Sequence, residues 1–456
     1  MAAPAMIPSS APATAALPPG PGFPMWMQAL LWQFRFEQFA TFCRRRYGDF
    51  YTLKLPVSRQ LLAVSDPDAI KAVFADRGEV THAGEGNSIL EPILGKFSLL
   101  TLDGAEHTRQ RRLVHPPFHG SKMQGYADVI RDVTNDTVDS WPLNTPFPLR
   151  PSTQLLTLRV ILRTVFGIVE GAEMDHMETL ISRVVAPSNG SLGALALLRR
   201  DFGPWRIYST FLQNRQALDD ALYAEIGARR NAPDLAGRDD ILSILLMARD
   251  EDGQPMSDVE LRDELMTLLL AGHETTATAL AWFFDLVLHA PPVLERLQAE
   301  ARTPETTYLD AAISETLRVR PVVAMVARKL QADLQVGPYL APRGTVVAPN
   351  IFLTHRRPDL YADPLEFRPE RFLEDKPETY SWLPFGGGIR RCIGADFALM
   401  EMRVAIPEIL RRVDIRAASP RREKIERRAV TLAPGTGTRV VVSRRSPRPP
   451  AVPPIP

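Results

Sequence analysis

Hydrophobic and polar positions divide the chain into distinct stretches. Residues 1–22 have prolines at 4, 8, 12, 18, 19 and 21 and no apolar periodicity, which predicts a disordered arm. Residues 50–64 (FYTLKLPVSRQLLAV) predict two strands joined by a turn near Pro56 and Ser58. Residues 120–250 have amphipathic helical spacing with polar or glycine breaks. After the Asp252–Gly253 turn, Ser257 and Glu260 have the spacing of a capping box. The longest uninterrupted helical pattern runs from there to about His289, and Pro291 and Pro292 end it. Its middle is strongly apolar, which predicts burial. Residues 330–350 read as short strands turned at Gly337, Pro338, Pro342 and Gly344, and Ile393 to about Arg412 reads as a helix. The Arg- and Pro-rich tail from Ser443 is expected to be disordered.

The 456 residues, 45% hydrophobic and 23% charged, have an ordinary globular composition. No repeat or linker splits the middle, so residues 23–442 are expected to form one domain between arm 1–22 and tail 443–456. A net charge of +1 argues against bulk binding to nucleic acid. The run from Met25 to Phe36 is interrupted by Gln28, Gln33 and Arg35; it is too short to cross a bilayer, although it could touch one. No transmembrane anchor and no signal peptide are expected, and the chain reads as soluble and cytoplasmic. Two cysteines, Cys43 and Cys392, are too few for an iron–sulfur cluster and stand in contexts too different to suggest a disulfide.

Candidate chemistry centres on residues 385–394, Phe-Gly-Gly-Gly-Ile-Arg-Arg-Cys-Ile-Gly. A glycine-rich loop delivers Cys392 to the start of a helix. There, backbone N–H groups and the helix dipole stabilise a thiolate, and small residues let a large flat ligand approach the backbone. A lone cysteine is usually a small buried hydrophobe. Here Phe385, Gly388, Arg390 and Gly394 stand at fixed offsets that this bland reading leaves unexplained. The triple glycine lacks the spacing and the preceding strand of a nucleotide loop. Ala271 and Gly272 carry almost no side chain in an apolar helix, and by default they signal close helix packing. The adjacent Glu274 is costly there unless it has a purpose. His273-Glu274 begins a zinc-protease pattern, but position 277 is Ala, so that reading fails. Glu315 and Arg318 are three apart and share a helical face, which alone would usually mean a weak surface pair.

The loop matches the haem-binding signature of the cytochrome P-450 superfamily, Phe-x-x-Gly-x-Arg-x-Cys-x-Gly, at every position. Three further segments resemble that family's motifs, in its order. Ala271-Gly-His-Glu-Thr-Thr276 resembles its oxygen-activation motif, Glu315-Thr-Leu-Arg318 its Glu-x-x-Arg motif, and Pro369-Glu-Arg-Phe372 the segment that completes a Glu–Arg–Arg triad. The resemblance covers everything but the two tails. It implies a mainly α fold with a smaller β region, in which haem b sits between the long central helix and the cysteine helix. It further implies Cys392 as the iron's axial ligand, a ligand type that favours O–O cleavage. Ala271 and Gly272 become the point where the central helix opens slightly to hold dioxygen above the iron, and Glu274 and Thr275 become an acid–alcohol pair delivering protons. Glu315, Arg318 and Arg371 become a buried structural network. His107 and Arg111, four apart on a helix, resemble a propionate-binding pair, with Arg390, Arg328 and His355 at further matching positions.

The implied reaction inserts one oxygen atom of O2 into a lipophilic substrate such as a terpenoid, fatty acid, steroid-like molecule or polyketide. Electrons would come from a separate ferredoxin or flavodoxin with its reductase, because no part of the chain is left to hold a flavin or iron–sulfur centre. Arg109, Arg112 and Arg391 could form a cationic docking face, against a default of solvated charge. Pocket walls are expected from Ile89, Leu90, Ile93, Leu94 and Phe97, from Leu268, from Val322, Val323 and Met325, and from Thr436. Residues 186–205, with Gly190, Gly193, Gly203, Arg199 and Arg200, are expected to form a lid. The rival readings are a peroxide-driven peroxygenase and a non-enzymatic haem sensor. An intact Glu274-Thr275 pair argues against both.

Overall fold

In the computed structural model, which describes residues 17–56, 58–118, 122–185 and 206–448, one helix organises the molecule. This central helix, Asp258–Leu288, starts at the expected capping box: the Ser257 side chain and the Glu260 backbone and carboxylate bind reciprocally. It ends on His289, and Pro291 opens the next helix instead of continuing this one. Twenty-one of its residues are buried, among them Trp282, Phe283 and Phe284. Its most extensive neighbour is the helix Leu149–Phe166, with the helices Ile207–Arg230, Thr307–Val319 and Ala395–Arg412 also against it. Their apolar faces make one large core cluster, which includes Leu156, Leu265, Leu280, Leu317 and Ile406.

The β region forms the other end. Phe50–Leu53 pairs antiparallel with Leu61–Val64 as expected. The sheet continues through Val346–Pro349, Arg328–Leu330 and Thr81–His82, giving five strands with one parallel pair in the middle. A separate hairpin, Ile425–Arg428 with Thr431–Pro434, reaches back to the helices, where Val323 bridges to Thr431.

Both terminal boundaries differ from expectation. Residues 17–22 are part of the fold: Thr52 donates its N–H to Pro19 O (3.3 Å) and its hydroxyl to Pro18 O (2.7 Å), and Leu17 packs on the sheet cluster. Proline cannot donate, but its carbonyl accepts, so a Pro-rich strand can be held from one side. At the other end the strand Arg439–Arg445 pairs with Val413–Ala417 through Arg445, and Arg448 binds Asp136 and Asp139.

Candidate active site

The middle of the central helix is not buried evenly. Leu268 and Thr275 are half-buried and Ala271 is exposed, while Leu269, His273, Thr276 and Ala277 are buried. Leu268, Ala271 and Thr275 are spaced i, i+3, i+7, so one helical face opens onto a space. The helix passes through unbroken, and the Thr275 hydroxyl donates to the Ala271 carbonyl (2.6 Å). Gly272 is off this face. A Cβ there would lie 2.8 Å from Ile161 Cδ1, so its small size serves close packing on the helix Leu149–Phe166.

That neighbouring helix also holds Glu274. Arg150 pairs with the carboxylate and Gln154 Nε2 donates to it (2.6 Å), while the hydroxyls of Thr153 and Thr157 donate to the carbonyls of Ala277 and His273 (2.9 Å each). Arg150, Thr153, Gln154 and Thr157 are spaced i, i+3, i+4, i+7, a polar stripe along the side that meets the central helix. Sequence reading missed it, although the period was there to find.

Cys392 lies just before the cysteine helix, Ala395–Arg412. Its N–H donates to Phe385 O (2.9 Å), closing the glycine loop, and the Phe385 ring packs edge-on against Trp382. Gly388 is required in this loop: φ is +65° and a Cβ would come within 2.3 Å of Phe74 O. Burial pushes the Cys392 thiol up, opposed by the Gly394 N–H and by the charges of Arg111 and Arg391. The residue nonetheless has exposed surface. Cys43 is the contrast: it is fully buried, and burial alone pushes its thiol up to about 12.

Leu99 ties the two sides together. Its N–H donates to Glu264 on the central helix (2.8 Å) and its carbonyl accepts from Arg390, two residues before Cys392 (3.1 Å). The cysteine helix also packs directly against the central helix. The exposed faces of Ala271, Thr275 and Cys392 therefore flank one gap between the two helices.

Four cationic or protonatable groups surround the gap: His107, Arg111, Arg328 and Arg390. Burial lowers the His107 pKa to about 3, with Arg390, Arg111 and Arg328 adding to the effect, so the ring is neutral at pH 7. Burial likewise lowers Arg328 and Arg390 to about 10; Arg390 opposes Arg328, and Asp103 relieves both in part. The buried His107 Nδ1 has no partner. Crowded cations with a deficit of counter-charge, above a loop stripped of side chains, fit a flat dianionic macrocycle. His107, Arg111, Arg328 and Arg390 would hold its carboxylates and Cys392 its iron.

His355 does not join this group. Its ring is fully buried, its Nε2 accepts the Leu383 N–H (2.7 Å), and its carbonyl accepts from Arg318. It belongs to the structural network instead. There Arg318 binds Glu315 through two bonds (2.7 and 2.8 Å) and Arg371 adds a third (3.0 Å); Glu315 and Arg318 are fully buried. The surface-pair reading fails here, because an unpaired member would strand a buried charge.

The pocket walls are sorted by burial. Ile89, Leu90, Ile93, Phe97, Val323 and Met325 are half-buried; Leu94 is buried, and Val322 is packed within the main core. Thr436 is exposed and hydrogen-bonded to Glu423, at the base of the hairpin and away from the walls. The hairpin's tip carries Val430, 50% exposed and next to the Val323–Thr431 bridge, a wall candidate that sequence reading missed. Each arginine of the expected docking face has an acidic neighbour: Arg109 has Asp250 and Glu260, Arg112 has Glu251, and the exposed Arg391 has Asp396 at 4.0 Å. The expected lid, with Arg199 and Arg200, lies outside the described residues. No single helix among the described residues is long and apolar enough to cross a membrane.

Comparison with known proteins agrees with this geometry. The family model for cytochrome P-450 matches residues 18–438. Cytochrome P-450 135B1 of Mycobacterium tuberculosis is 40% identical over 432 residues, covering 93% of this chain and 91% of that protein. Cytochrome P-450 135A1 of the same organism is 38% identical, with 95% and 97% covered. Among solved structures, cyanobacterial CYP120A1 with retinoic acid bound superposes with a TM-score of 0.82 at 27% identity, covering 95% of this chain and 99% of that one. The chain belongs to the cytochrome P-450 family and is a haem b monooxygenase.

Proposed function

We propose that this monooxygenase oxidises a bulky, largely apolar substrate, of terpenoid, fatty-acid, steroid-like or polyketide type, using electrons from a separate ferredoxin or flavodoxin. The balance is R–H + O2 + 2 electrons + 2 protons giving R–OH + H2O. Haem held by a thiolate supplies the oxygen-activating chemistry. The chain's own residues supply the rest. Cys392 would hold the iron through its sulfur, and His107, Arg111, Arg328 and Arg390 would hold the propionates. Thr275 offers a hydroxyl at the open face of the central helix, and Glu274 supplies protons toward it after leaving Arg150. Ile89, Leu90, Ile93, Phe97, Leu268, Val323, Met325 and Val430 exclude water and bind the substrate by apolar burial, worth about 25 cal/mol per Å².

The observation that carries the substrate class is the character of these walls: aliphatic and aromatic side chains with almost no hydrogen-bond partners. The bound retinoic acid of the cyanobacterial relative, an apolar isoprenoid acid, is in keeping with it. The test is titration of the haem spectrum with a steroid or terpene, a long-chain fatty acid and a small polar aromatic acid. Lipophilic ligands should shift the spectrum; a response to the small polar acid alone would sink the reading. Turnover with a ferredoxin system but not with peroxide alone separates it from a peroxygenase.

A further inference from the structure

The helix Met25–Phe34 buries Trp32 together with the polar Gln28 and leaves most of its other large apolar side chains outside. Its polar Gln28 is buried, donating to the carbonyls of Pro21 (3.0 Å) and Phe23 (2.8 Å) and accepting from Lys54 N–H (3.0 Å). Meanwhile Trp26, Leu30 and Phe34, spaced i, i+4, i+8 on one face, are 62%, 49% and 56% exposed. The patch extends beyond the helix. Met25 and Phe23 are exposed, and Phe23 stacks on the exposed Phe42 of the next helix, Phe36–Tyr47, at 6.2 Å. A contiguous apolar surface of this kind, on a chain that could bury it, marks an interaction site.

Its rim is cationic. Arg35 follows Phe34 directly, and Arg45 and Arg46 lie one turn after Phe42; all three are exposed. None of the three pairs with a carboxylate among the described residues. The acidic groups nearby are already engaged, Glu37 with Arg356 and Asp49 with Arg44 and Arg357. Tryptophan and phenylalanine flanked by arginine suit the boundary between acyl chains and anionic headgroups.

We propose that this face docks the enzyme peripherally onto an anionic lipid bilayer, with Trp26, Leu30 and Phe34 entering the interface and Arg35, Arg45 and Arg46 meeting headgroup charges. The docked face is tied to the active site. Gln33 donates to Arg427 O (3.1 Å), the Arg427 guanidinium stacks over Trp32 (4.9 Å), and Arg427 lies in the hairpin that ends at Val430. Docking does not depend on the substrate class proposed above.

The test is co-sedimentation of the full-length holoprotein with vesicles of equal phosphatidylglycerol and phosphatidylcholine, beside pure phosphatidylcholine. Sedimentation should occur with the anionic vesicles and weaken with salt. Each large apolar side chain contributes roughly tenfold to partitioning. The triple variant Trp26→Ser, Leu30→Ser, Phe34→Ser should therefore lose binding while keeping its reduced carbonyl spectrum. Arg35→Gln, Arg45→Gln, Arg46→Gln should lose the preference for anionic lipid. Equal binding to both vesicle types, or sedimentation untouched by the triple apolar change, would overturn the proposal. So would a concentration-dependent dimer that the triple change dissolves without any lipid binding, because the patch would then belong to a second copy of the chain.

Discussion

The carboxylate of Glu274 is paired with the buried guanidinium of Arg150, on the neighbouring helix, while Thr275, one residue on, faces the gap. The guanidinium is buried and the carboxylate keeps only a small exposed surface, so each charge depends largely on the other. Arg150→Leu should destabilise the fold by about 3–5 kcal/mol in urea unfolding followed by circular dichroism, because it strands a buried carboxylate. Arg150→Leu with Glu274→Leu should recover most of that loss. If the double variant is no more stable than Arg150→Leu alone, the pair is not what fixes the two helices.

Proton delivery makes a separate prediction for the neighbouring residue. Thr275→Ala should bind substrate and consume reductant at near-normal rates, yet divert electrons to hydrogen peroxide at the expense of product. Glu274→Gln should slow turnover instead, because the amide cannot release a proton. Measuring product, peroxide and reductant together distinguishes these effects. Full coupling in Thr275→Ala would remove Thr275 from the reaction.

Features local in sequence were legible and features assembled across it were not. The central helix announced both ends, through Ser257–Glu260 and the Pro291–Pro292 pair, because caps and breakers act within a few residues. The cysteine loop was legible for the same reason: Gly388 meets Phe74 across space, but its positive φ is a property of the loop itself. Arg150 was invisible, lying 124 residues before its partner, and Val430 comes to the pocket only because a hairpin folds back on Val323. His355 misled because sequence records that a histidine is present but not where its ring points; here it accepts the Leu383 N–H. Prolines at 18 and 19 signalled disorder by composition, although their carbonyls hold Thr52.

The two cysteines should behave as opposites. Cys392→Ser should abolish the reduced carbonyl band typical of thiolate ligation, whereas Cys43→Ser should keep it. Alkylation of haem-free protein at pH 8 should leave Cys43 unmodified, given full burial and a thiol pushed up to about 12. Loss of the carbonyl band in the Cys43 variant would reverse the assignment.

Glu264 predicts how stability varies with pH. It is fully buried; burial, with the nearby charges of Asp263 and Glu260, raises its pKa to about 8, against the Leu99 N–H and the Gln110 amide. An unfolded glutamate loses its proton near the usual carboxylate pKa of about 4.3, so between there and about 8 the folded chain holds one proton more than the unfolded chain. The contribution of this group is therefore fully present below the ordinary carboxylate range. It declines as pH rises and is lost above about 8. The decline is on the order of a few kcal/mol. Urea unfolding of the wild type across pH 5–9 should show it, and Glu264→Gln, which keeps an acceptor for Leu99 N–H without a charge, should flatten it. A Glu264→Gln profile that declines as steeply as the wild type would assign the pH dependence to another group.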